Sequence, residues 1–128
     1  MSVVRDGGAR TTFSTGAQRE ISSGRGRFDL ISDDFLKALA ELYEQGALKY
    51  ADHNYARGMP LSRFKDSAMR HLNAWCRGER DEPHLVQAAW NLISMWTVDC
   101  LVEEGLLSED FRDLDIRAVV RRAAEEGA

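Results

Sequence analysis

From His84 to Glu104 the chain is apolar on nearly every side of the helix it would form, with Gln87, Asn91 and Asp99 among the polar interruptions. A helix of that composition cannot face water all round and belongs in the middle of a bundle. Its apolar part, Leu85 to Val102, approaches membrane-spanning length, but the polar side chains inside it favour a protein core, and no membrane partner is expected. No strand-like alternation and no internal repeat accompanies it. The expected class is therefore all-α, a small helical bundle of about four helices.

The other helices are marked by their stops and faces. A first helix is expected to begin at Ser32 as N-cap, with Asp33 and Asp34 suiting the positive end of the helix and Phe35, Leu39, Leu42 and Tyr43 giving an apolar face. Gly46 interrupts it or ends its first part. Residues 51–60 carry the turn formers of a loop. A second helix is expected from Ser62 as N-cap to a stop at Gly78, with Phe64, Ala68, Leu72 and Trp75 buried. Trp75, Trp90 and Trp96 are read as core packing. Residues 110–126 hold Leu114, Ile116, Val119 and Val120 among many charges and predict a last, moderately amphipathic helix.

A chain of 128 residues, 44% hydrophobic, suffices for one globular domain with a modest core. The boundaries expected are a flexible basic arm over 1–27, a helical catalytic domain over 28–108 and a C-terminal helix or tail over 109–128. A net charge of −4 with a pI near 5.4 gives no basic surface for counterion displacement, so no nucleic-acid partner is expected. A nucleotide-sized anion needs only a local cluster of Arg and Lys. The arm is rich in Gly, Ser, Thr and Arg and has no apolar h-region, so no secretory signal is read. It is either a solvated tail or a segment that brings Arg19, Arg25 or Arg27 over an anionic ligand. Cys76 and Cys100 read as buried thiols of a reducing compartment, and the expected location is cytoplasmic.

Chemistry is concentrated on three helices. His84, Gln87, Asn91 and Ser94 recur at spacings of three and four and make one polar stripe on the central helix. The stripe either bonds to neighbouring helices or forms the wall of a site. On the second helix Asp66, Arg70 and Asn73 share a face, with Ser67 and His71 on the adjacent one. Glu41 and Glu44 on the first helix form an E-x-x-E pair of the oxygen ligands that Mg²⁺ and Mn²⁺ prefer, although such pairs are common on solvated faces. Lys49, Tyr50, Asn54 and Tyr55 follow, suited to gripping phosphates and stacking on a base.

In order and spacing, Gly46-Ala47-Leu48-Lys49-Tyr50, Asn54-Tyr55-Ala56-Arg57-Gly58 and Ser62 to His71 together resemble the N-terminal domain family of phage dATP/dGTP diphosphohydrolases. The likeness continues through Gly78-Glu79, Asp81 to Leu85 and Ala88-Ala89-Trp90-Asn91, and covers about residues 16 to 104. The resemblance implies metal-dependent hydrolysis of dGTP or dATP between the α and β phosphates, in phage nucleotide supply where 2-aminoadenine replaces adenine. The location would then be the cytoplasm of an infected host cell. It also suggests kinship with the MazG-like all-α nucleoside triphosphate pyrophosphatases, which are helical oligomers. Two departures stand out: Asn54-Tyr55 replaces the family's usual Asn-Trp, and the helix that should supply a second acidic pair presents Asn91, so Asp66, Asp81 or Glu82 has to supply the missing charge.

On this resemblance, one or two Mg²⁺ or Mn²⁺ ions are expected among Glu41, Glu44, Asp66 and Glu82, with Glu41, Glu44, Asp66, His71 and His84 as the catalytic set. Lys49 and Arg70 neutralise the pyrophosphate leaving group. Asn54 and Asn91 read sugar or base, and Tyr50 or Tyr55 stacks on the purine. The expected partners are a purine deoxynucleoside triphosphate and further copies of the chain, in a homodimer or homotetramer. The alternative is a catalytically inactive nucleotide-binding module or an oligomeric interaction protein.

Overall fold

The computed structural model describes residues 3–127; the first two positions of the expected arm and the last of the expected tail lie outside the described residues. The backbone forms two compact units, Met1–Ser32 and Asp33–Ala128.

The first unit holds a small antiparallel hairpin, β1 (Arg10–Thr12) with β2 (Gln18–Glu20), in the register Arg10 to Glu20 and Thr12 to Gln18. Gly16, at φ +87°, supplies the left-handed turn residue, and the Phe13 amide donates to Ala17 O at 2.9 Å. The hairpin departs from the expected absence of strands, because strands of three residues are too short for alternation to show in sequence. Three arginines of this unit answer its own carboxylates: Arg10 pairs with Asp6, Arg25 with Glu20 and Arg27 with Asp29.

The second unit is helical, and with it the chain is all-α apart from the hairpin. Helix α1 (Asp33–Tyr50) begins directly after Ser32 and runs unbroken through Gly46. The expected interruption does not occur, because one glycine costs a helix only about 1 kcal/mol. The following loop contains a 3-10 turn, Asn54–Arg57. Helix α2 spans Leu61–Cys76 with Pro60 at its N-cap, two residues ahead of the expected Ser62, so Ser62 lies in its first turn and is not its cap. The cap comes from far along the chain: Asp113 Oδ1 accepts the Ser62 amide at 2.9 Å, and Asp113 Oδ2 accepts the Ser62 hydroxyl. The stop at Gly78 is as expected. Gly78 adopts φ +87°, its amide donates to Trp75 O and that of Glu79 to Ala74 O, the paired bonds of a Schellman ending.

Helix α3 spans His84–Glu103 and α4 spans Ile116–Glu126, capped by Asp115, whose carboxylate accepts the Arg117 and Ala118 amides. The last helix therefore starts later than residue 110, after a 3-10 turn over Glu109–Phe111. Helices α2 and α3 pack along their length around Leu61, Phe64, Val98 and Val102, with Tyr55, Met59, Trp90, Met95, Leu107 and Phe111 against that core. Helix α1 and the Asn54–Arg57 turn also pack on α3. Three apolar assignments change: Trp96 is 74% exposed, Leu72 is also exposed, and Cys76 is an exposed thiol. Trp75 is half-buried and stacks beneath the Arg80 guanidinium, 3.5 Å from the ring centroid.

Candidate functional site

The polar stripe of α3 faces inward. His84, Asn91 and Ser94 are 6%, 5% and 0% exposed, and Gln87 between them is half-buried. Their neighbour is the face of α2 that carries Ser67 and His71. The Asn91 amide donates to Ser67 Oγ at 3.2 Å and to Gln87 O at 2.9 Å, which satisfies both of its N–H groups. Gln87 Nε2 points at Glu82 Oε1, 3.5 Å away. Two buried acceptors, Gln87 Oε1 and Ser94 Oγ, have no hydrogen-bond partner among the described residues.

At the N-terminal end of α3 the two helices meet through their histidines. His71 Nδ1 lies 2.9 Å from His84 Nδ1, and His84 Nε2 lies 2.8 Å from Asp81 Oδ1. Burial holds the His71 imidazole below its usual value, and the His84 ring and Arg70 push the same way against an opposing pull from Glu82. The hydrogen bond from His84 is the chief reason that Asp81 sits below the ordinary carboxylate range.

Among the described residues, Asp81, Glu82 and His84 form the group whose donor atoms all lie within 4.8 Å of one another. Two carboxylates and an imidazole are a donor set suited to Mn²⁺, and the carboxylates alone to Mg²⁺. Both acidic residues are exposed while the histidine is buried, so a cation held there would face solvent on its carboxylate side. On the chemistry of its donors the group fits a divalent ion.

Beside the stripe lies an aromatic cluster. Tyr43 of α1, Tyr55 of the loop and Trp90 of α3 have ring centroids 6.1 Å apart in each pairing, and Phe64 adds an edge contact to Trp90. Burial raises the Tyr43 phenol above its usual value, Tyr55 adds to the rise, and the Ser94 hydroxyl opposes it. The approach to Tyr55 passes Ala51 and His53, both at positive φ (121° and 57°), an uncommon conformation for residues with a Cβ.

The expected site residues divide into those the fold gathers and those it leaves apart. His71, His84 and Glu82 come together, joined by Asp81, and Asn91 lies two turns further along the same stripe, past Gln87. Glu41 and Glu44 are exposed on α1 and, among the described residues, belong to no three-donor group with Glu82. Asp66 pairs with Arg70 at 3.2 Å on the outer surface of α2, both side chains about two-thirds exposed. Lys49 and Tyr50 are exposed at the end of α1, with the ammonium 5.2 Å from the Tyr50 ring centroid. Asn54 and Tyr55 are half-buried, Tyr55 against Trp90. The sequence marks Tyr43 and Trp90 as packing residues, and only the position of Trp90 one residue before Asn91 points to their place beside the stripe. Asp81 is one of three options for the missing charge, and it reaches His84 from the bend ahead of α3, a backbone path that residue spacing does not fix.

The fold and this site define a small all-α domain with a buried amide and hydroxyl stripe between two helices and a histidine–carboxylate cluster at the end of that stripe. The chain belongs to the dATP/dGTP diphosphohydrolase, N-terminal family, whose model matches residues 15–105. That range takes in α1, α2, α3 and the whole cluster, and leaves α4 beyond it. No curated protein and no solved structure shows a match to the chain.

Proposed function

We propose that the domain hydrolyses a purine deoxynucleoside triphosphate, dGTP or dATP, to the monophosphate and pyrophosphate, using Mg²⁺ or Mn²⁺ at Asp81, Glu82 and His84. The observation that carries this reading is the convergence of a buried histidine, a second histidine and two carboxylates within the residues matched to a dATP/dGTP diphosphohydrolase family. A divalent ion, when bound, offsets phosphate charge and lowers the pKa of a coordinated water. Around it the chain's own side chains bind and orient: Lys49 and Arg70 for the phosphates, Asn54 for the sugar or base, and Tyr50 or Tyr55 against the purine. Asn91 acts by holding Ser67 and the stripe in place, because both its N–H groups are already used. Glu41 and Glu44, which stand apart in one chain, enter the reaction only where a second copy brings a site to them.

Purified protein incubated with each deoxynucleoside triphosphate and Mn²⁺, then separated by chromatography, is expected to yield monophosphate and pyrophosphate from dGTP or dATP. Glu82→Gln should lower that turnover at least tenfold with the fold intact. Full activity of Glu44→Gln would remove Glu44 from the mechanism, and inorganic phosphate as product would mean a different bond is cut. A second reading, a nucleotide-binding or interaction module without catalysis, is favoured by the exposed and separate positions of Glu41, Glu44 and Asp66. Binding without turnover would establish it.

A further inference from the structure

The contacts on His84 fix where the ring protons lie when both imidazoles are neutral. An ionised carboxylate only accepts, so the 2.8 Å contact with Asp81 places the His84 proton on Nε2. His84 Nδ1 is then a lone pair, and His71 Nδ1, 2.9 Å away, has to donate to it. A neutral His71 with its proton on Nδ1 presents a bare lone pair at Nε2. That atom makes no hydrogen bond among the described residues, and the ring is half-buried whereas His84 is enclosed.

A cation taken by the cluster reverses this order. His84 Nδ1 already faces His71, so Nε2 is the nitrogen available as a ligand, and it has to give up its proton. A neutral ring coordinated through Nε2 carries its proton on Nδ1. The proton between the two Nδ1 atoms therefore changes owner, from His71 to His84, and His71 takes one from solvent at Nε2 to stay neutral. One proton leaves, at His84 Nε2, and one arrives, at His71 Nε2, so two ring protons are present before and after and the net charge of the pair does not change.

We propose that cation binding at Asp81, Glu82 and His84 turns His71 Nε2 from a hydrogen-bond acceptor into a donor, so that the chain offers an N–H to a phosphate oxygen only when the cation is in place. The inference rests on the cation site of the proposed function. It makes His71 a positioning residue that couples cation to triphosphate: without the ion, its lone pair repels phosphate oxygens, and with the ion it attracts them.

The test is the tautomeric state of each ring in ¹⁵N-histidine-labelled protein at about pH 8, well above the ordinary imidazole value. Long-range ¹H–¹⁵N correlation spectra are recorded without and with Zn²⁺ as a diamagnetic divalent probe, and assigned with His53→Gln and His71→Gln. Without zinc, His84 should be protonated on Nε2 and His71 on Nδ1. At saturation, His84 should be protonated on Nδ1 and His71 on Nε2, with Glu82→Gln needing at least tenfold more zinc for the same change. The inference is overturned if His71 keeps its Nδ1 proton at saturation, if it already carries the Nε2 proton without zinc, or if zinc leaves both rings unchanged. Reversal of the tautomers in a protein that cleaves no deoxynucleoside triphosphate would sink the proposed activity alone. Metal-dependent cleavage with His71 unmoved would sink only the coupling.

Discussion

Ser94 is completely enclosed, yet its hydroxyl has no hydrogen-bond partner of proper geometry among the described residues, and the phenol that feels it belongs to Tyr43. Tyr43 prefers to remain neutral because α1 holds it out of water against Tyr55 and Trp90. Its folded-state pKa lies above the usual phenol value of 10.0, so the neutral ring adds stability that is fully present below pH 10. That stability is lost as pH rises through the raised value, when ionisation has to occur in a half-buried setting. Tyr43→Phe is thus expected to leave a fixed stability difference from the native chain up to about pH 10, and the native chain should lose ground to the variant beyond it. Urea denaturation of both proteins across alkaline pH measures this, and parallel curves throughout would show that Tyr43 is not the responsible group. At this scale the stripe itself was legible in sequence, because spacings of three and four place His84, Gln87, Asn91 and Ser94 on one side whatever surrounds them. What they touch was not legible. Whether His71 or Asp66 meets the stripe depends on the rotation of α2 about its own axis, which long-range packing through Phe64 and Ala68 decides.

Helix ends show how far local signals reach. Gly78 ends α2 through two bonds made within a few residues, and such an ending is written in the adjacent sequence. The start of the same helix is not, because its cap is a carboxylate 51 residues away in the segment between the 3-10 turn at Glu109–Phe111 and α4. Asp113 answers an N-terminal amide and the Ser62 hydroxyl together, so it both caps α2 and fastens the C-terminal segment to it. Arg112 beside it gathers Asp99, Glu103 and Glu109, and Gly58 lies so near the Phe111 ring that a Cβ there would come within 2.6 Å of it. Asp113→Ala should cost about 1 kcal/mol, the usual worth of an N-cap, and lower the melting temperature by several degrees. Asp113→Asn, which keeps one acceptor, should recover part of the loss. Thermal unfolding followed by circular dichroism reads both, and an unchanged melting temperature for Asp113→Ala would mean that water replaces the cap without penalty.

For the molecule as a whole, the apolar character of α3 exceeds what one chain covers. Its inner face is covered by α2, α1 and the Asn54–Arg57 turn, but Leu92, Ile93 and Trp96, spaced so as to share the opposite side of the helix, remain exposed. The sequence implied a central helix, and the fold supplies neighbours for only part of its circumference, because three other helices cannot surround a fourth while α4 is engaged through Arg122 with the Glu109–Arg112 segment. A Trp side chain brings about 150–250 Å² of contact area, so a patch centred on Trp96 is worth several kcal/mol if a second copy covers it across a two-fold axis. Such an assembly would place Trp96 beside its own symmetry mate, where a charge is doubly unfavourable. Light scattering coupled to size exclusion is therefore expected to give a dimer or tetramer for the native chain, and Trp96→Glu is expected to give a monomer whose helical circular dichroism is unchanged. If the variant elutes with the native mass, the patch lies outside the contact between copies; if the native chain is itself a monomer at micromolar concentration, α3 stays half-covered in solution, and Glu41 and Glu44 have no second chain to complete a site with them.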